Sequence, residues 1–470
     1  MKSAPSVRTV VYIALVILLV IGIAIQFIRP ALDNPPVTAE ISAPLEVKAI
    51  LQRACYNCHS NQTQLAWFDE PAPAYWLVAS DVKMARQVLN FSTFDSLPKA
   101  QQTGQLYEAL NQIEFHTMPL KQYALLHHGA EITAAEIALL RGYLLTLAPK
   151  AIPDTAKQRL ALEQYEKAIR AAIGSAPTPE PEEPKDELNG ITYHALAGFP
   201  GWKAISTTDR FDNGTLRLIM GNDIAVRAIR EGNTHPWPAG ATFAKVAWDQ
   251  LPDSAGEVHA GAFKQVEFMI RDEDKYKSTD GWGFARWVGG LAMRPYGKDI
   301  AFTTECTICH QSMAANDHVF TLPIADTLGL YDQAAALPDS IAAHPLTGKV
   351  ITTFVNLRDE TMSTLYGNDI AVKSARSGGI AATATPAAHA TYPPGSILAL
   401  VTWSRRDDPH WFGGRIPNTI RSVEILTFGP AAAPAYDRYE GAPLAKKQAS
   451  PADLQARILY ITGRKASVFP

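Results

Sequence analysis

The chain is poor in cysteine and has no surplus of either charge. Four cysteines occur in 470 residues, and all four stand in two Cys-x-x-Cys-His strings, Cys55-Cys58-His59 and Cys306-Cys309-His310. None is left over for a structural disulfide, which excludes a disulfide-stapled scaffold. The 43 Lys plus Arg nearly balance the 46 Asp plus Glu, a net charge of −3, so a polyanion such as nucleic acid is not an expected partner. A charged fraction of 19% beside 47% apolar residues excludes a disordered polymer and is ordinary for globular domains. The length allows two to four such domains.

One apolar run stands out, Val10 to Ile28. It carries no charge and one strongly polar residue, Gln26, and it is long enough to span hydrocarbon. Lys2 and Arg8 precede it; Arg29 and Pro30 close it. A cleaved secretory signal is the alternative, but the run exceeds a usual h-region and no small-residue cleavage site follows directly. The expectation is an uncleaved single-pass anchor with its N-terminus inside, in a bacterial inner membrane, leaving the bulk of the chain in the periplasm.

From 45 to about 147 apolar residues recur at helical spacing, most plainly from Ala134 to Leu147, and a further helix is predicted from Asp154 to Ile173. Ser175 to Glu187 holds four prolines and no core-forming residue, and reads as a linker. Beyond it the pattern turns to short alternating runs, among them Thr215–Ile219, Thr242–Trp248 and Gln265–Ile270, which read as strands. This second half also resembles itself. Lys203–Arg227 aligns without gaps to Lys349–Lys373 with ten identities in 25, six of them in Gly-Asn-Asp-Ile-Ala-Val. Pro238-Ala-Gly240 is echoed by Pro393-Pro-Gly395, and Val266-Glu267 by Val423-Glu424. In the second copy Lys245 falls on Leu400 and Arg217 on Ser363, and no cysteine occurs. That copy is expected to lack whatever group the cysteines hold and to pack on the first as a built-in second subunit, or to dock a partner. Trp403 to Asn418 within it reads as a lid, a docking loop or a plain surface loop.

Cys-x-x-Cys-His suits covalent haem because two thiols one turn apart meet the two vinyl groups, and the adjacent histidine turns its imidazole onto the iron. The rival is zinc held by cysteine pairs. A shared four-thiolate site is disfavoured because about 250 residues and the Pro-rich stretch separate the pairs. The expectation is therefore two haem c groups, held by Cys55 and Cys58 and by Cys306 and Cys309, with His59 and His310 as proximal iron ligands.

Around the first string, CYNCHSNQT followed by PAPAYWLVASDV, LNFSTF and HTMPL resembles a small bacterial haem-binding domain found behind an N-terminal anchor. Met118, a thioether before a proline, is the expected distal ligand, with His116, His127 and His128 as competitors. A closed iron of this kind transfers electrons.

The stretch from about Ile191 to Ile324 resembles the cytochrome P-460 family. The matching residues are Trp202-Lys203, Thr215-Leu-Arg217, Ala239 to Lys245, Val266-Glu267, Ile270-Arg-Asp272, Gly281 to Phe284, and Cys306 to His310 with Asp317 to Phe320. The resemblance implies a β-rich fold, an open iron beneath Glu267 and Arg217, and an extra covalent bond from Lys245 to the macrocycle. A lysine facing a buried haem is expected to lose its proton by desolvation and become a nucleophile, and Glu267 is the candidate general base. The implied activity is oxidation of hydroxylamine to nitric oxide or nitrous oxide, with electrons passing to the first haem and then to a periplasmic cytochrome c or the quinone pool. Alternatives are a gas-binding cytochrome or sensor without turnover, a dihaem electron shuttle, and a dihaem peroxidase.

The expected organisation is multidomain: a cytoplasmic N-terminus (1–9), a transmembrane helix (10–28), a connector (29–44) and a mostly α cytochrome c-like domain (45–150). A helix with the Pro-rich linker (151–187), a β-rich (α+β) P-460-like domain (188–326), its tandem repeat (327–430) and a C-terminal tail (431–470) follow.

Overall fold

The computed structural model describes residues 7–177, 180–183, 189–324, 335–338, 341, 344–378, 392–430 and 433–469. The chain divides into two compact units, Met1–Leu147 and Ala148–Pro470.

The first unit is helical. It begins with α1 (Val7–Ala24), continued by a short 3-10 turn to Phe27, and no side chain of α1 is buried. Together these residues are long and apolar enough to cross a membrane or to serve as a signal sequence. The end of this segment is tied to the folded part. Gln26 and Ala72 exchange two hydrogen bonds, at 3.1 and 2.8 Å, Tyr75 donates to the Pro30 carbonyl, and Arg29 pairs with Glu70.

Six further helices follow: α2 (Leu45–Ala54), α3 (Tyr56–His59), α4 (Ala74–Val88), α5 (Lys99–Glu114), α6 (Lys121–Leu126) and α7 (Ala134–Leu147). Their buried residues lie on single stripes, Val47, Ile50 and Leu51 on α2 and Tyr75, Ala79 and Val82 on α4, as helical periodicity requires. Cys55 has φ −122°, which breaks α2 and lets the Cys-x-x-Cys-His string coil as its own turn.

The second unit is built on antiparallel strands: β1 (Lys203–Arg210), β2 (Thr215–Gly221), β3 (Thr242–Pro252), β4 (Glu257–Arg271), β5 (Trp282–Val288), β6 (Arg294–Pro295), β7 (Lys349–Asn356), β8 (Thr361–Gly367), β9 (Ile397–Asp407), β10 (Gly414–Thr427), β11 (Ala435–Glu440) and β12 (Ala445–Lys447). Its helices are α8 (Thr155–Ala172), α9 (Tyr193–Leu196), α10 (Asp223–Glu231), α11 (Ile308–Gln311), α12 (Asp369–Arg376) and α13 (Pro451–Thr462). Strands β1-β2-β3-β4-β7-β8-β9-β10 form a ring, closed where Asp209 and Arg210 of β1 pair with Arg415 and Gly414 of β10. Such closure removes sheet edges. Alternate residues from both halves, including Leu218, Val246, Trp287, Val401 and Val423, share one apolar cluster.

The opposite faces carry helices. In the first half Ile219, Phe243 and Phe284 pack with α10 and with Phe302 and Cys306. In the second half Leu365, Leu398, Leu400 and Leu426 pack with α12 and with Ile461 of α13. Elements run in the same order in the two halves, β1-β2-α10-β3-β4 and β7-β8-α12-β9-β10. Asn222 and Asn368 cap α10 and α12 alike, and each sends its Nδ2 to a glycine carbonyl, Gly240 or Gly395. Across the strands Ile219, Lys245 and Glu267 stand in one rung, and Leu365, Leu400 and Glu424 in the corresponding one.

Three expectations need correction. The Pro-rich stretch does not separate the units. Helix α8, which precedes it, already packs on β4, where Gln164 exchanges two hydrogen bonds with the Phe263 backbone. Within the stretch the Glu182 carbonyl accepts from the Trp287 indole, and the Glu183 carboxylate accepts from the Tyr193 and His194 amides. Polar anchoring of this kind needs no apolar side chain. Residues 178, 179 and 184–187 of the stretch lie outside the described residues.

The residues beyond 430 are not a tail: β11 pairs with β10, Ser450 caps α13 with Pro451 at its first position, and the Trp248 indole donates to the Val468 carbonyl. The segment Trp403–Asn418 is a loop only over residues 408–413; its flanks are the ends of β9 and β10.

Candidate functional site

In the first unit the string Cys55–His59 turns on hydrogen bonds from the Cys58 and His59 amides to the Cys55 carbonyl, at 3.1 and 2.8 Å. The His59 Nδ1 lies 3.1 Å from the Leu89 carbonyl. A carbonyl can only accept, so Nδ1 carries the proton and Nε2 keeps the lone pair a metal needs. Burial lowers the His59 pKa further, keeping the ring neutral. Burial also pushes the Cys55 thiol up to about 12 and the Cys58 thiol to about 11.

Met118 is half-buried on the turn after α5, where its amide donates to the Gln112 carbonyl. Of the competing histidines, His127 is engaged: its Nε2 meets Asp69 at 3.1 Å and its ring stacks on Tyr123 at 3.8 Å. His116 and His128 are exposed.

In the second unit Phe302 adopts a left-handed conformation, φ 48°, and starts a wide turn over Thr303–Thr307 that leads into α11. The Asp299 carboxylate accepts from the Ala301 and Thr303 amides and holds this entry. Cys306 is buried, and desolvation raises its thiol to about 12. The His310 Nδ1 donates to the His318 carbonyl at 2.7 Å, again leaving Nε2 as the lone-pair nitrogen. Burial depresses His310 to about 4, so the ring is neutral at pH 7. Phe284 and Phe320 flank it at 5.2 and 5.1 Å.

Strand alternation decides what faces this turn. Ile219, Lys245, Glu267 and Arg286 stand opposite one another across β2, β3, β4 and β5, hence on one face. Arg217 lies two residues from Ile219 and shares that face, as do Phe243 and Phe284, which pack with Cys306. Lys245 pairs with one Glu267 oxygen, and the Arg286 Nε lies 3.5 Å from the other. Burial holds the Lys245 amine well below the usual lysine value, reinforced by Arg217 and then Arg210. Burial, with Arg210 beside it, also lowers the Arg217 guanidinium to about 9. Its Nε lies 3.3 Å from the Thr215 hydroxyl.

The structure thus brings Lys245, Glu267 and Arg217 to the face that carries Cys306. Sequence reasoning missed Arg286, Arg210 and Asp212. Arg286 had a signal, since Trp282, Phe284 and Arg286 alternate directly through the Gly281–Phe284 string.

The residues fit a covalently held haem. Each string offers two thiols outside any disulfide and a neutral imidazole with its lone pair on Nε2. Beside Cys306, both Glu305 carboxylate oxygens and the Thr304 hydroxyl are buried without a hydrogen-bond partner. Orphaned polar atoms at this density call for a polar group that the polypeptide does not supply. The zinc alternative finds less support. Among the described residues the one cluster of three metal-ligating side chains is Asp253, Glu257 and His259, which includes no cysteine.

Residues 20–146 match the family model of a haem-binding domain, and residues 196–321 match that of cytochrome P460. No curated protein matches the chain.

Proposed function

From a haem cytochrome that carries a haem-binding domain followed by a cytochrome P460 domain, we propose a membrane-anchored dihaem enzyme that oxidises hydroxylamine at its second haem. The observation that carries this reading is the Lys245–Glu267 pair, a desolvated amine and a carboxylate on the sheet face that holds Cys306. An iron porphyrin there supplies a redox centre that binds the nitrogen compound and takes up its electrons.

Cys306 and Cys309 would hold the macrocycle and His310 its iron. Burial disfavours the Lys245 ammonium form, and its amine is the group that would hold the porphyrin edge. Glu267 accepts protons as electrons leave, with Arg286 fixing its second oxygen. Arg217 orients the substrate and stabilises developing negative charge. In the first unit Cys55, Cys58 and His59 would hold the first haem, and Met118 is the side chain that would complete its iron. A haem held there would supply a redox centre between the second unit and a periplasmic cytochrome c or the quinone pool.

Retention of α1 as an anchor is supported by the bonds of Gln26 to Ala72, which build the end of the apolar segment into the domain. The two halves of the ring are read as a tandem repeat, supported by ten identities in 25 and by matching rungs at Lys245 and Leu400. In the haem-less copy α13 covers the corresponding face, and Glu424, the counterpart of Glu267, is taken up by Arg457 and Tyr436.

The test is an optical spectrum of the reduced protein together with hydroxylamine turnover. A red-displaced Soret band beside an ordinary c-type band, with turnover, is expected. Two low-spin haems, or nitric oxide binding without turnover, overturn the proposal.

A further inference from the structure

The turn between β9 and β10 belongs to the haem-less half, yet it lies against the residues that hold the haem site of the first half. We propose that this turn is a positioning element of that site, acting through His410 on the proximal side and Trp411 on the distal side. The inference rests on the reading of Cys306–His310 as a haem centre.

On the proximal side the His410 Nδ1 lies 2.7 Å from the Phe320 carbonyl and must be the donor. The Phe320 ring meets the His310 imidazole edge-on at 5.1 Å and the Trp411 indole at 5.9 Å. Two residues earlier, the His318 carbonyl accepts from His310, while His318 itself has φ 66°. A left-handed histidine persists only where its surroundings over-determine it. Segment 318–320 is therefore gripped from both ends, by the imidazole that it orients and by His410. Groups that orient a ligating histidine in this way set its orientation and basicity.

On the distal side the Trp411 indole donates to Asp212 at 3.1 Å, and its face lies 4.4 Å from the Arg210 guanidinium. Arg210 and Asp212 are buried and pair through two bonds. The Arg210 charge reaches both Arg217 and Lys245 and disfavours their protonated forms. Trp411 thus fixes the orientation of a fork that adds, after burial and Arg217, to the field at the proposed catalytic amine. Local hydrogen bonds hold the turn in shape, since the Asp408 amide donates to the Gly414 carbonyl and the Asp408 carboxylate accepts from the His410 amide.

The test uses the full-length holoprotein with His410→Ala, His410→Gln, Trp411→Ala and Trp411→Phe. The readouts are the reduction potential of each haem, hydrogen exchange at amides 318–320, and hydroxylamine kcat/KM. His410→Ala should shift the potential of the second haem and speed exchange at 318–320. His410→Gln, which keeps a donor, should restore both. Trp411→Ala should lower kcat/KM about tenfold, the usual scale for an outer-shell partner. Trp411→Phe, which keeps the ring under Arg210 but loses the bond to Asp212, should fall between it and wild type. The first haem, in the same molecule, should not move. Unchanged potential and exchange in folded His410→Ala, or unchanged kcat/KM in both Trp411 variants, overturns the proposal. Should an alanine variant fail to keep its haem, His410→Leu, which fills the space without a donor and should shift potential and exchange as alanine would, and Trp411→Phe decide by the same readouts, no change overturning the proposal. If the wild type does not turn over hydroxylamine, the functional reading fails, whereas the potential and exchange measurements still judge this inference.

Discussion

Replacing Lys245 with leucine tests the proposed site most directly, because the corresponding position of the second half is already Leu400, on a well-packed face. The variant removes the amine that meets one Glu267 oxygen and leaves the Arg286 cation, 3.5 Å from the other. Stripping a partner from a fully buried pair costs about 3–5 kcal/mol. Here 34% of the Lys245 side chain is accessible and one cation remains, so a loss of about 1–3 kcal/mol is expected in urea unfolding. Adding Glu267→Gln, which removes the stranded charge, should recover most of it. Proteolytic mass analysis supplies the chemical readout. In the wild type the peptide containing Lys245 should remain joined, through haem, to the one containing Cys306 and Cys309. In Lys245→Leu that joined species should vanish, and hydroxylamine turnover should fall by at least about tenfold. Unchanged turnover in a folded, haem-loaded variant would refute the assignment of Lys245.

Two further outcomes are expected. Met118→Ala should convert the first haem to high spin, read from its absorption and EPR spectra, and a low-spin signal that persists removes Met118 from the assignment. Arg457→Ala leaves Glu424, 1% exposed, with the Tyr436 hydroxyl and the cross-strand Arg438. The expected destabilisation is about 2–4 kcal/mol by urea titration, and a loss below about 1 kcal/mol would show that the pair does not hold α13 in place.

The parts that could be read from sequence are those whose physics is local. Cys-x-x-Cys-His is a single turn, so its spacing alone announces two thiols beside an imidazole, and both strings coil as such turns. The run Thr242–Trp248 alternates and forms the start of β3; Ala134–Leu147 repeats at helical spacing and forms α7. Even Lys245 and Glu267 stand out as lone charges on apolar strands. Their convergence was legible only through resemblance, because strand register is a property of two chains side by side and a slip of one residue would send Glu267 to the opposite face.

The tertiary structure alone decided the rest. Arg286 joins Glu267 because β5 pairs with β4, and Arg210 joins Arg217 because β1 turns into β2 beside the site. In sequence α13 reads as part of a tail because its partners, Glu424 and the apolar cluster that includes Leu400, lie far back in the chain. His410 and Trp411 carry no motif, and the sequence of Trp403–Asn418 around them reads equally as a lid, a docking loop or a surface loop. They matter through Phe320 and Asp212, about 90 and 200 positions away in sequence, which ring closure between β1 and β10 brings within hydrogen-bond reach. Composition and spacing thus determined the chemistry that the chain can hold, since covalent and local conformational rules act over a few residues. Which charges surround that chemistry was decided by packing, whose contacts no short window of sequence contains.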